Sequence, residues 1–268
     1  MFTLGRMIDF NYKLNKLIIL FSSLTVLLGW ATTGSLLSGV YIGVSVFLTW
    51  ALTREVDPKH DYSALIAAVF SLFNLFQYES FQLLDIAWIL LFMRLVNRLS
   101  GEIPTTFDIL GLLALTIYLS ISMQNSSYFI IYFLALVANR KNRKKKADLI
   151  LAGIISLGFF LVESFFLGYL FGHLPNQLNW IYVLIVLALI FSFLLYWLLA
   201  KVHVTDDKGN VVAPARILTC QTMYSLAVLL LLLFGEMTWN NLIVYLSVLG
   251  GIAVYQMGLR VFNLNKKN

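Results

Sequence analysis

Between Lys16 and Arg54 the sequence carries no charged side chain. At 1.5 Å per residue that stretch makes about 55 Å of helix, too long for one crossing of a ~30 Å hydrocarbon core and right for two. Thr32, Thr33, Gly34 and Ser35 mark the join. The rest of the chain behaves alike: 60% of its residues are hydrophobic and 12% charged, where a soluble domain has about one-quarter charged. With a mean hydropathy of +0.85, the sequence reads as an integral membrane protein. No segment between apolar runs is long enough for a soluble domain, so one membrane domain over 1–268 is expected. No small-residue cleavage pattern follows the first apolar run, which is therefore expected to stay as a helix. The single cysteine, Cys220, excludes an internal disulfide framework.

Cutting every apolar run to bilayer length predicts an all-α, polytopic transmembrane helical bundle of about ten helices with short loops. They cover about 17–33, 36–53, 62–77, 81–98, 107–123, 127–139, 148–171, 178–200, 216–234 and 240–260. The positive-inside rule tests this count, because Lys and Arg accumulate in short cytoplasmic loops. With ten crossings and both termini inside, all 19 Lys and Arg fall in the tails, the inner loops or the inner helix ends. The outer turns, around TTGS, QYES, QNSS, GHLPNQLN and GEMTWNN, contain neither. The basic pI of 9.3 then reflects topology and not nucleic-acid binding. The loop RKNRKKK, 140–146, is expected at anionic lipid headgroups, so membrane lipids are the expected partners. Trp30, Trp180 and Trp239 are expected at the outer interface, Trp50 and Trp197 at the inner one. The composition suits a bacterial cytoplasmic membrane with the basic loops cytoplasmic.

The turn ALTREVDPKHDY, 51–62, gathers Arg54, Glu55, Asp57, Lys59, His60 and Asp61 between the second and third helices. Arg54 suits the negative end of a helix dipole, Pro58 ends the helical path, and Asp61 reads as the N-cap of the third helix. Asp57 and Asp61 are also candidate metal ligands and, with His60, candidate catalytic groups, since Mg²⁺ is generally held by one or two carboxylates plus substrate oxygens. Thr53-Arg54-Glu55-Val56-Asp57 resembles the R-E-x-D end of the Asp-rich motif of intramembrane aromatic prenyltransferases. The likeness stops there. Trp50, Ala51 and Leu52 stand where that motif has its Asn and first Asp, and the loop after the sixth helix offers only Asp148. No family is assigned on it and no catalytic role is carried over.

A second inner loop, 92–110, places Arg94 about a turn inside the end of its helix and Arg98 at that end, both candidates for an anionic substrate. Asp108 is expected to cap the fifth helix. A third, 201–216, reads as a small β-hairpin turning at Asp207-Lys208-Gly209-Asn210. Asp206 and Asp207 belong to that turn more naturally than to a metal. The pairs Gly39/Gly43, Gly168/Gly172 and Gly250/Gly251 permit close helix contact.

Glu163 is the ionisable residue deepest in an apolar run, about 15 residues or ~22 Å from the start of the seventh helix. A charge there costs at least about 2.5 kcal/mol, so the group is protonated, paired or lining a polar cavity. Asp85 is expected to be wet, near the outer end of the fourth helix, and with Glu79 and Glu236 it makes the outer face acidic. Two function classes follow. A small secondary transporter or permease would bind a proton or cation at Glu163, with Asp85 on the outer route and the chain divided into inverted halves of five helices. A membrane-embedded enzyme would act on a lipid or prenyl phosphate at the cytoplasmic face, using Asp57 and Asp61 with Mg²⁺, and Arg54, Arg94 or Arg98 on the phosphate. No cofactor is evident otherwise. A non-catalytic assembly subunit is the third class.

Overall fold

The computed structural model describes residues 3–6, 9–76, 81–139, 147–170, 179–199, 204–235 and 237–265 of the 268 in the chain. These form α1 (Lys13–Thr33), α2 (Leu36–Val56), α3 (Asp61–Phe70) with a 3₁₀ continuation over Ser71–Leu75, α4 (Leu83–Asn97) and α5 (Thr106–Ser122). Then come α6 (Ser127–Asn139), α7 (Ala147–Phe165), α8 (Trp180–Leu199), α9 (Pro214–Phe234) and α10 (Trp239–Asn265). A two-stranded antiparallel ribbon, β1 (Val204–Thr205) with β2 (Val211–Val212), precedes α9. The fold is an all-α helical bundle. Six of its helices, α1, α2, α7, α8, α9 and α10, are long and apolar enough to cross a membrane, while α5, α6 and α3 with its 3₁₀ turn are apolar but shorter. The basic loop 140–146, Glu79, Glu236 and Gly172 lie outside the described residues.

Each predicted run coincides with a helix, and local chemistry sets the ends. α1 stops where Gly34 takes a left-handed φ of 70° and donates its N–H to the Trp30 carbonyl. Ser35 then opens α2 by accepting from the Ser38 amide. α7 stops at Phe165 rather than near 171: Tyr169 N–H closes back on the Glu163 carbonyl at 3.1 Å, with Gly168 left-handed at φ 73°. A Cβ on Gly168 would meet nothing within 4 Å, so this glycine serves a turn and not a helix contact. The third run tightens to 3₁₀ at Ser71, whose hydroxyl donates to the Ala68 carbonyl at 2.8 Å. The hairpin forms as the sequence predicts. Gly209 is left-handed at φ 83°, and Asp206 Oδ1 accepts from the Lys208 and Asn210 amides at 3.0 and 2.8 Å. Desolvation pushes the Asp206 carboxyl up, but the hydrogen bonds from Asn210 and Lys208 together outweigh it and hold the group below its usual range.

The chain forms two compact units, one of Met7–Ile86 with Thr238–Asn268 and one of Met1–Arg6 with Ala87–Met237. These are not halves of five consecutive helices, because α10 returns to pack on α2 and α3. In the first unit α1 and α2 touch backbone to backbone: a Cβ on Gly39 would stand 2.5 Å from the Val26 carbonyl oxygen and 2.7 Å from the Trp30 nitrogen. Gly251 of α10 fits equally tightly, 2.7 Å from the Ala67 nitrogen and the Ser63 carbonyl oxygen. Helices in lipid need small residues where they meet, since the apolar faces have no preference for protein over hydrocarbon. α2 follows this rule. It buries Ser45, Thr49 and Thr53, whose hydroxyls each donate to a carbonyl of the same helix at 2.8 Å. In the second unit α8 turns Leu184, Leu187, Phe191 and Leu194 outward. There, too, the buried thiol of Cys220 in α9 donates to the Met93 carbonyl of α4 at 3.7 Å.

Candidate functional site

The charged end of the first unit is built from the end of α2, the turn to α3, the start of α1 and the last turns of α10. Arg54, in the last turn of α2, pairs with Asp61 at 3.1 Å. Its guanidinium carbon lies 5.6 Å from the Tyr12 ring centroid and 5.5 Å from that of Trp50. Trp50 is buried at 7% exposure, so it packs under Arg54 instead of resting at a lipid interface. Tyr12 donates its hydroxyl to Asp61. Asp61 is therefore the first residue of α3 and a counter-ion, not its N-cap; that position is held by His60, which makes no side-chain capping bond. Asp57 ends α2 and holds His60 Nδ1 at 2.9 Å. The His60 ring packs on Tyr255 at 5.2 Å between centroids, and Gln256 Nε2 stands 3.3 Å from the same Nδ1. Glu55, 1% exposed, is buried in this end.

The two aspartates are committed to different partners, Asp57 to the His60 imidazole and Asp61 to the Arg54 guanidinium. One oxygen remains over: Asp57 Oδ2 is buried with no hydrogen-bond partner among the described residues. Among the described residues no group of three or more His, Cys, Asp or Glu side chains is placed to hold a metal ion. What this end provides chemically is an imidazole oriented by a carboxylate, the arrangement used to prepare a general base.

Tyr12 carries a measurable consequence. Its hydrogen bond to Asp61, then burial, raise the hydroxyl above its ordinary value of 10.0. A raised folded value stabilises below the unfolded value and is lost as pH climbs through the folded one. Tyr12→Phe is expected to lower stability by at most about 1 kcal/mol near neutrality, because the pair is solvent-exposed, and to lose that cost once the wild-type tyrosine ionises beside the Asp61 carboxylate. Urea unfolding at pH 7 and at strongly alkaline pH checks both halves, and an equal loss at the two values refutes the assignment.

Glu163 lies in the last turn of α7 and is buried at 3% exposure. Ser164 faces Ser126 at 2.8 Å, Asn74 accepts from Asn240 at 3.0 Å in the first unit, and Glu163 meets the Ser120 hydroxyl at the end of α5. That hydroxyl also lies 2.9 Å from the Asn125 carbonyl oxygen. A serine has one proton to donate, so an ionised Glu163 shares it with the Asn125 carbonyl, whereas a protonated Glu163 can donate to Ser120 and leave that proton to the carbonyl. Around this group the α5–α6 turn adds Ser127, donating to Asn125 Oδ1 at 2.6 Å. Gly235, just past α9, is so close that a Cβ would stand 2.5 Å from Asn125 Nδ2.

Asp85 is in the first turn of α4 and is buried at 5% exposure rather than wet, with its charge acting on Tyr245. Gln82 and Asn241 close over this end through Asn241 Oδ1, 3.0 Å from the Gln82 amide. Asp85 and Glu163 belong to different units. Arg94 donates to the Leu4 carbonyl at 3.1 Å, and Arg98 is buried at 9% exposure. The sequence reading missed Tyr12, Tyr255 and Gln256 beside the charged turn and Ser120 beside Glu163. Their only sequence signal is a polar group in or beside an apolar run. Against family models, curated proteins and solved structures the chain finds no match.

Proposed function

We propose that the protein is a small secondary transporter or permease of a membrane, in which Glu163 takes up and releases a proton or cation as the solute moves. The observation that supports this reading is the protonation-dependent bond set at Glu163: a buried carboxyl with a serine hydroxyl and a backbone carbonyl around it. Losing its proton creates a buried charge that competes with the Asn125 carbonyl for the one Ser120 proton, so protonation and local structure are coupled. Ten crossings, both termini and the loop 140–146 on the cytoplasmic side, and residence in a bacterial cytoplasmic membrane belong to the same reading.

Proteoliposomes under an imposed proton gradient, challenged with pooled amino acids, sugars and organic acids, test it. Wild type is expected to couple proton flux to a solute, Glu163→Gln to abolish the coupling, and Ser120→Ala to weaken it. Equal fluxes in wild type and Glu163→Gln remove Glu163 from the mechanism. The Asp57–His60 pair favours a second reading, an enzyme on a lipid or prenyl phosphate at the cytoplasmic face. Under it, Asp57→Asn abolishes turnover while Glu163→Gln spares it. A chain indifferent to both substitutions is an assembly subunit.

A further inference from the structure

At the end of the second unit opposite Glu163, the turn after α4 lies against the hairpin and the start of α9. Leu99, Val204, Val212 and Ile217 form one apolar cluster there, and the Asp207 amide donates to the Leu99 carbonyl at 2.8 Å. Cys220 on Met93 brings α9 alongside α4 one turn deeper. Arg98 and Arg216, neighbours in sequence of Leu99 and Ile217, are carried to the same place. Arg98 is held in a left-handed conformation, φ 49°, which few non-glycine residues adopt without a compensating interaction. Its side chain is nine-tenths buried, and Arg216 is half-buried. Burial, and then the adjacent charge of Arg216, depress the Arg98 guanidinium below its ordinary value.

Among the carboxylates of this end Asp206 acts by its charge on Arg216, and the others are engaged elsewhere. Asp207 pairs with Arg6 at 2.5 Å and Glu102 with Lys208 at 2.7 Å, while Asp206 accepts from turn amides. Arg98 Nε and Arg216 Nε are both buried without a hydrogen-bond partner among the described residues. Asp206 offsets the charge of Arg216 in part, but the buried Arg98 charge beside it, with both Nε donors unmet, still favours an anion that reaches the two guanidiniums together.

We propose that the Arg98 and Arg216 guanidiniums together bind a phosphate group, carried on a lipid headgroup or free in solution. The planar fork of arginine matches phosphate oxygens two at a time. Arg216 also sits in the first turn of α9, behind Pro214, where the helix N-terminus adds its own positive field. The site is separate from Glu163 and does not depend on the transport reading.

The test melts the purified full-length protein in neutral detergent with sodium phosphate, with phosphatidic acid, and with sodium chloride or phosphatidylcholine as controls. Wild type is expected to gain stability from a phosphate-bearing ligand beyond its control. A gain from sodium phosphate identifies free phosphate as sufficient, and a gain from phosphatidic acid alone identifies the lipid headgroup. In Arg216→Gln the ligand concentration giving half the gain should rise at least about tenfold. Arg216→Lys keeps charge but not the fork, and it decides the matter if the glutamine variant does not purify: its half-gain concentration should rise severalfold. No gain from either ligand in wild type, or an unchanged half-gain concentration in the variants, overturns the proposal.

Discussion

Gly39→Leu is expected to lower stability by about 3 kcal/mol or more, enough to separate α1 from α2 in a protein of ordinary stability. The atoms that a side chain would strike are backbone: the Val26 carbonyl oxygen at 2.5 Å and the Trp30 nitrogen and Cα at 2.7 and 3.2 Å, measured already from the Cβ. No rotamer relieves that clash, because it precedes χ1. The facing residue is itself a glycine, Gly29, whose own Cβ would lie 2.9 Å from the Gly39 Cα, so neither helix can yield without moving bodily. Gly111 of α5 supplies the control. A Cβ there meets nothing within 4 Å, and Gly111→Leu should gain up to about 1 kcal/mol through helix propensity. Thermal unfolding in one detergent compares the two directly. A Gly39→Leu midpoint equal to wild type would mean that α1 and α2 do not meet at these glycines.

Asp108→Ala should cost about 3 kcal/mol, the sum of a lost helix cap and lost charge-assisted hydrogen bonds. Asp108 is fully buried at the third position of α5. It closes a capping box with Thr105, accepting from that residue's amide at 2.6 Å and hydroxyl at 2.7 Å. It also accepts from the amide and hydroxyl of Thr3 at 2.8 and 2.5 Å, which fastens the segment at Thr3 to the same helix start. Alanine leaves these donors without a partner and releases that segment, so protease cleavage before α1 should accelerate alongside the fall in midpoint. Asp108→Asn keeps the shape but replaces one acceptor oxygen by a donor, and should fall between alanine and wild type. A normal midpoint with unchanged proteolysis in Asp108→Ala would contradict the geometry.

The helices were legible because apolar runs of helical length are separated by charged or polar turns; the hairpin was legible from Asp207-Lys208-Gly209-Asn210. What sequence did not show is which face of each helix is inward. In a soluble helix hydropathy alternates and points at the core, whereas here Leu184 and Leu187 of α8 face out and serines and threonines of α2 face in. Polarity near a predicted interface then misleads. Asp85 looked wet and is buried, and Trp50 looked interfacial and lies under Arg54. The sites depend on partners distant in sequence, such as Tyr12 on Asp61 across 49 residues and Gln256 on His60 across 196. No local spacing encodes these. The return of α10 to α2 and α3, which decides the compact units, has no signal in the order of the apolar runs.

The burial of Cys220 against Met93 makes the native chain a ready background for chemical labelling. Its one thiol is shielded from water and therefore slow toward maleimides that do not cross lipid. A cysteine introduced at Ser35 or Lys208, one at a turn between helices and one on the hairpin, would be the sole fast-reacting thiol in its variant. Intact cells treated with such a reagent then report the side of the membrane on which each turn lies, with no need to remove a residue that packs the interior.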